Sequence, residues 1–201
     1  MRALALAVLS LAPALPANEP PPVAVELPAV TVDPRVELLG LVARLAGHPE
    51  YNQEAGDSSY RRAADEHFED FRAHAAPVTL RGLRATEGIS YDAVASFAVH
   101  LDWDGGRLAF LQPPTKDLPD DARAPGRLGE RWSAGAARRF LTDLRAFVRD
   151  TGFVGFYDEQ EPFRRAAEDR FRELLREDFD AGWFVAFFGG SPGAGLDGHD
   201  G

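Results

Sequence analysis

The chain has 201 residues, 45% hydrophobic and 10% aromatic, enough to bury a core of its own. A formal net charge of -10, with one lysine (Lys116) among 22 basic residues, argues against nucleic acid and against an anionic membrane surface, both of which are bound through clustered cations. The absence of cysteine excludes disulfides, thiolate nucleophiles, lipid attachment at sulfur and Cys-held zinc.

Abundant Arg, Ala and Gly beside that single lysine reads as the codon usage of a GC-rich, bacterial genome. Residues 1–17 carry one positive charge at Arg2 and then the apolar run ALALAVLSLAPAL, too short for a membrane span but suited to a signal-peptide core. Cleavage near Ala17 is expected, so the protein is expected to be exported, to the periplasm or beyond, with no stable membrane anchor. Residues 18–32 read as a Pro-rich linker and an extended arm; Pro28 within VAVELPAVTV limits that arm to an edge strand.

Residues 33–190 are predicted to form one helical globular domain. Asp33 followed by Pro34 is the strongest helix start in the chain, Val36, Leu38, Leu39, Val42, Leu45 and their neighbours form its apolar face, and Gly47 ends it. A polar loop, HPEYNQEAGDSS, leads to a helix over residues 60–75, capped at Asp57 or Ser58 and broken by Pro77. A shorter helix over 78–86 ends at Gly88. SYDAVASFAVHL is predicted helical with Ser90 as its cap, and the Asp104–Gly105–Gly106 turn implies a small hairpin with a strand at 107–111. Residues 112–131 read as a surface loop. Helical periodicity resumes from Ser133 to Gly152 and again over 161–179, and a last helix over 181–188 carries Trp183, Phe184, Phe187 and Phe188. Residues 191–201 read as a flexible Gly- and Asp-rich tail. The fold class is therefore α+β, mainly α-helical, with six or seven helices, one hairpin and an N-terminal edge strand.

Chemistry is sparse. The five histidines include no zinc-binding His-Glu-x-x-His pair, and neither a phosphate loop, a nucleophile elbow nor a calcium loop occurs. His67, Phe71 and His74 share a helix face beside Glu66 and Glu69, yet a solvated surface explains them with fewer assumptions than a metal site. His100 near Asp102 and Asp104 suits a histidine in the last turn of a helix. Tyr91 and Asp92 open that helix and could face a ligand. Asp197, His199 and Asp200 sit on a tail with no preorganised geometry. Tyr91, Asp92, His100 and His74 are the candidate ligand-binding residues; catalytic and metal-ligating residues are not assigned.

Four stretches, VDPRVELLGLVARLAGHPEYN, GISYDAVASFAVHLD, RWSAGAARRFLTDLRAFVRDTGFVGFY and WFVAFFGG, in this order and spacing, resemble the N-terminal part of a family of secreted bacterial proteins catalogued as domain-of-unknown-function family 4932. The resemblance runs from about Val30 to Gly195. Members continue through a Gly-rich Asn-Tyr-Gly segment to a His-Glu-x-x-His helix, which makes them look like zincin metallopeptidases. The resemblance thus implies zinc for full-length relatives only, and none of those ligand positions exists in this sequence. It implies that this chain is a non-catalytic N-terminal region, inactive as it stands and cut short after Gly195, whose missing catalytic partner would pack near Trp183, Phe184 and Phe187. The alternative is an exported peptide- or glycan-binding module without enzymatic activity. A small hydrolase using His74 or His100 is the least favoured reading.

Overall fold

The computed structural model describes residues 29–53, 58–114, 117–180, 183 and 187. Chain contacts group Val30–Arg176 as one compact unit; of the other, Met1–Ala29 with Glu177–Gly201, only a few residues are described. The expected signal peptide, tail and residues 23–28 of the extended arm lie outside the described residues.

Seven α-helices and one two-stranded sheet are found among the described residues, in agreement with a mainly helical α+β fold. α1, Pro34–Leu45, starts as its sequence dictates: Asp33 accepts the N–H of Arg35 at 2.8 Å and Pro34 fills a position whose donor is not needed. Leu38, Leu39, Leu41, Val42, Ala43 and Leu45 are buried, but Val36, assigned to the same face, is exposed.

α2, Ser59–Phe68, is capped by Ser58, whose Oγ accepts from Arg61 N–H at 3.1 Å, and it tightens into a 3₁₀ turn at Glu69–Ala73. α3, Ala75–Glu87, contains Pro77 in its first turn rather than ending before it; a proline there interrupts no intrahelical bond. Gly88, at φ 70°, closes α3 in the left-handed conformation. α4, Asp92–Ala98, is shorter than expected and is not capped by Ser90, whose hydroxyl donates to the Gly88 carbonyl instead; Tyr91 occupies the cap position without a side-chain bond.

β1, Leu101–Asp104, pairs antiparallel with β2, Arg107–Phe110, with Leu101 opposite Phe110 and Asp104 opposite Arg107. Gly105 and Gly106, at φ 54° and 96°, make the two-residue turn, and a Cβ on Gly106 would meet Val154 Cγ2 at 2.6 Å. No third strand joins among the described residues. Residues 29–33 form no regular structure and do not pair with the sheet; Val32 is held by side chains, its N–H donating to Glu168 and its carbonyl accepting from Tyr157.

The loop after β2 holds one 3₁₀ turn, Gly126–Glu130, where no regular structure was expected. α5, Ala134–Thr151, is capped by Ser133 and closed by Gly152 at φ 67°. α6, Phe153–Glu159, and α7, Glu161–Glu177, complete the order. α6 carries only Phe153 and Phe156 into the core, too few positions for a helical period to be legible in GFVGFY.

The core lies where α1, α3, α4 and α5 meet. Two aromatic groups fill it. Trp132 stacks on Phe140 at 5.4 Å and leans on Phe97, while Phe68 gathers Phe147, Phe153 and Phe156. Trp132 is fully buried and satisfies its indole N–H at the Ala93 carbonyl, 3.0 Å away. No helix of the described residues is long and apolar enough to cross a membrane. The expected last helix falls mostly outside the described residues; Trp183 and Phe187 within it are helical and their rings stack at 5.1 Å.

Candidate functional site

Gly47, at φ 79°, turns the chain out of α1, and Pro49 sets the backbone of a 3₁₀ turn, Pro49–Tyr51. Asn52 locks this turn by donating to the carbonyls of Arg44 and His48, which also accept from the backbone N–H groups of Gly47 and Tyr51. Glu50 is thereby driven inward, with its side chain only 6% exposed. One carboxylate oxygen accepts from Arg84 at 2.6 Å and from the backbone N–H of Tyr91 at 3.0 Å. Burial alone would raise this carboxyl, but the hydrogen bonds from Tyr91, from its own backbone and from Arg84 outweigh it and hold the pKa at about 2.

His48 lies against the same carboxylate, with Nδ1 3.6 Å from it, and its ring is 1% exposed with neither nitrogen hydrogen-bonded. Burial first, and the Arg84 charge next, lower its pKa against the pull of Glu50, so the ring is held neutral.

This knot fixes Tyr91. Its backbone, at φ 46° and ψ -123°, is the only non-glycine positive φ among the described residues, in a region that side chains avoid. The Tyr91 N–H is held by Glu50 and its carbonyl accepts from the Tyr51 hydroxyl at 3.0 Å. The ring itself is 63% exposed. Next to it, Asp92 pairs with Arg131 at 2.6 Å, and that bond lowers the Asp92 pKa.

Tyr51 faces a second feature, a groove of about 300 Å³ between α1 and α2. Glu37, Gly40, Leu41 and Arg44 line it from one face of α1, and Tyr60, Arg61 and Ala64 from α2. Arg44 is engaged with Asp65 at 2.5 Å. Glu37 is half-buried, and burial raises its pKa although the Arg164 charge opposes this. The Tyr60 hydroxyl is buried and has no hydrogen-bond partner among the described residues. A wider depression of about 510 Å³ lies on the hairpin, but its Arg145 is already bound to the Leu108 carbonyl.

The four sequence candidates divide. Tyr91 and Asp92 stand together at the strained corner. His74 is a structural cap: Nδ1 accepts from Ala76 N–H, Nε2 lies 3.3 Å from Asp150, and the ring packs edge-on to Phe147. His100 is half-buried at the α4–β1 junction, where burial lowers its pKa, and forms no ion pair with Asp102 or Asp104 among the described residues. His67 ties α2 to the end of α5 at the Thr151 carbonyl, 2.9 Å away. Among the described residues no three His, Asp or Glu side chains are grouped to hold a metal ion.

Glu50, Tyr51, Glu37, Tyr60 and Arg61 were not singled out from sequence. Glu50 and Tyr51 sit in a stretch that reads only as a polar loop, and the others have the spacing of an ordinary helix surface. The signal for Glu50, an acid directly after a helix-ending Gly-His-Pro, is visible but unspecific.

No family model matches the chain, and neither a curated protein nor a solved structure does.

Proposed function

We propose that the chain is an exported, non-catalytic recognition module that contacts a glycan or peptide through Tyr91. The observation that carries this reading is the Tyr91 backbone. Glycine would adopt this conformation without strain, whereas tyrosine is held there by two tertiary hydrogen bonds while its ring stays 63% exposed. A ring that adds little packing at a strained position is available for contact outside the chain. Its face suits the C–H face of a sugar or an apolar side chain, and the Asp92–Arg131 pair beside it offers an acceptor and donors, which favours the glycan. Export rests on residues 1–17 and is tested by N-terminal sequencing of the secreted protein, which should begin at Asn18. Binding is tested by pull-down on insoluble polysaccharides and titration with soluble oligosaccharides and peptides. Tyr91→Gly should abolish it with the fold intact; a Tyr91→Gly protein that binds as well as the parent ends this reading.

A second reading follows the family resemblance, in which the chain is the non-catalytic part of a zinc metallopeptidase. α7 favours it: over 17 residues it buries none, and it presents Phe163, Phe171 and Leu174 as an exposed apolar stripe. Tight one-to-one zinc uptake by the purified chain would count against this second reading.

A further inference from the structure

The groove between α1 and α2 carries charges that the described residues leave without an ion pair. Arg44 is neutralised by Asp65 in a forked contact, with Nη2 2.5 Å from each carboxylate oxygen. Glu37, on the α1 wall, and Arg61, on the α2 wall, form no ion pair among the described residues, with each other or with anything else. Arg164 acts on Glu37 by charge alone; its guanidinium instead lies 3.6 Å over the Tyr157 ring. A half-buried charge loses hydration and ordinarily recovers the loss through a partner.

Tyr60 also lines the groove, its ring stacked on Phe163 at 5.1 Å. Two opposite charges without ion pairs among the described residues, on the two walls of one groove, mark a place where a ligand supplies the missing partners. Leu41, Ala64 and the Tyr51 ring give the lining an apolar part that suits a hydrocarbon side chain, while Gln53 and Ser58 add polar groups at its edge. A volume of about 300 Å³ is at the lower end for ligand pockets, which limits the occupant to a small molecule.

We propose that this groove binds a small zwitterion, an amino acid or very short peptide with an apolar side chain, its ammonium held by Glu37 and its carboxylate by Arg61. Opposite charges on facing walls discriminate in a way one charge does not, because a ligand lacking either end leaves one wall unmatched. The site is separate from the Tyr91 corner and shares only Tyr51 with it.

Calorimetric titration of the purified protein with phenylalanine, N-acetylphenylalanine and phenylalanine amide tests the assignment. Phenylalanine is expected to bind, with each blocked form about tenfold weaker. Glu37→Gln should weaken phenylalanine about tenfold and leave N-acetylphenylalanine unchanged, since that probe has no ammonium to lose; Arg61→Gln should do the same toward phenylalanine amide. Neither side chain has an ion-pair partner to strand, so both variants should keep the fold, checked by circular dichroism. Gly40→Leu, at a position where an added Cβ meets nothing within 4 Å, should fill the groove and abolish binding while retaining helix content. Failure of phenylalanine, leucine and leucyl-phenylalanine to bind at about 10 mM would overturn the proposal, as would variants that weaken all probes alike. Tyr91→Gly should leave phenylalanine binding unchanged, and a loss there would also overturn it, so the groove and the Tyr91 corner stand or fall separately.

Discussion

The backbone N–H of Tyr91 donates to the Glu50 carboxylate at 3.0 Å, across 41 positions of sequence, and this bond holds the one strained non-glycine residue among the described residues in place. Arg84 binds the same oxygen, so removing the carboxylate strands a cation and releases the strained backbone together. Glu50→Ala is expected to cost about 3 kcal/mol, measured by urea unfolding, and to broaden the backbone amide signal of Tyr91.

That carboxylate also sets an acid limb of stability. Its folded pKa of about 2 lies below the ordinary value of 4.5, so its contribution is complete above pH 4.5 and is lost as pH falls from there toward 2. Thermal melts of the parent should lose stability across that window, and Glu50→Gln should flatten this limb. An unchanged slope in the variant would contradict the assignment.

His48 acts in a higher window. Its folded pKa is lowered from 6.5, so the unfolded chain takes up the proton first, and stability is complete above pH 6.5 and declines below it. His48→Phe keeps a ring edge-on to Tyr51 and removes two buried, unsatisfied nitrogens. It should stabilise the fold by about 1 kcal/mol near neutral pH and by more under mild acid, read from the midpoint of denaturant unfolding.

Tyr91→Gly relieves the backbone and should raise stability by about 1 kcal/mol, whereas Tyr91→Ala keeps the strain and should not. Paired unfolding curves for the two variants separate conformational strain from loss of the ring. Equal stability of the two would show that the corner carries no strain.

Gly129 offers a steric check on the loop that carries Trp132. A Cβ there would run into the Ala124 carbonyl oxygen, backbone against backbone, with no flexible side chain to give way. Gly129→Ala should cost about 2 kcal/mol and alter the fluorescence of Trp132, whose indole is anchored at Ala93.

Much of the architecture was legible because its signals are local. Asp33–Pro34, Ser133, Gly88 and Gly152 each mark a helix end through the backbone groups of their own turn, and Gly105–Gly106 specify their hairpin by dihedral angle alone. Where these local signals were overruled, packing had intervened. Ser90 has the chemistry of a cap, but Glu50 draws the Tyr91 N–H away and the helix begins one residue later. Pro77 looks like a breaker, but the chain leaves its 3₁₀ turn early enough for the proline to fall in a first turn.

Sequence by itself determined most of the helices, the apolar faces of α1 and α5, the hairpin and the acidic, cysteine-free character of the chain, since these depend on neighbours within a few residues. Only the tertiary structure decided which polar groups lack partners. Glu37 and Arg61 lie on different helices, Glu50 meets Tyr91 far along the chain, and His74 stands at the start of α3 with Nδ1 accepting from Ala76 N–H. Whether a charge is matched depends on what stands opposite it, and long-range packing alone sets that.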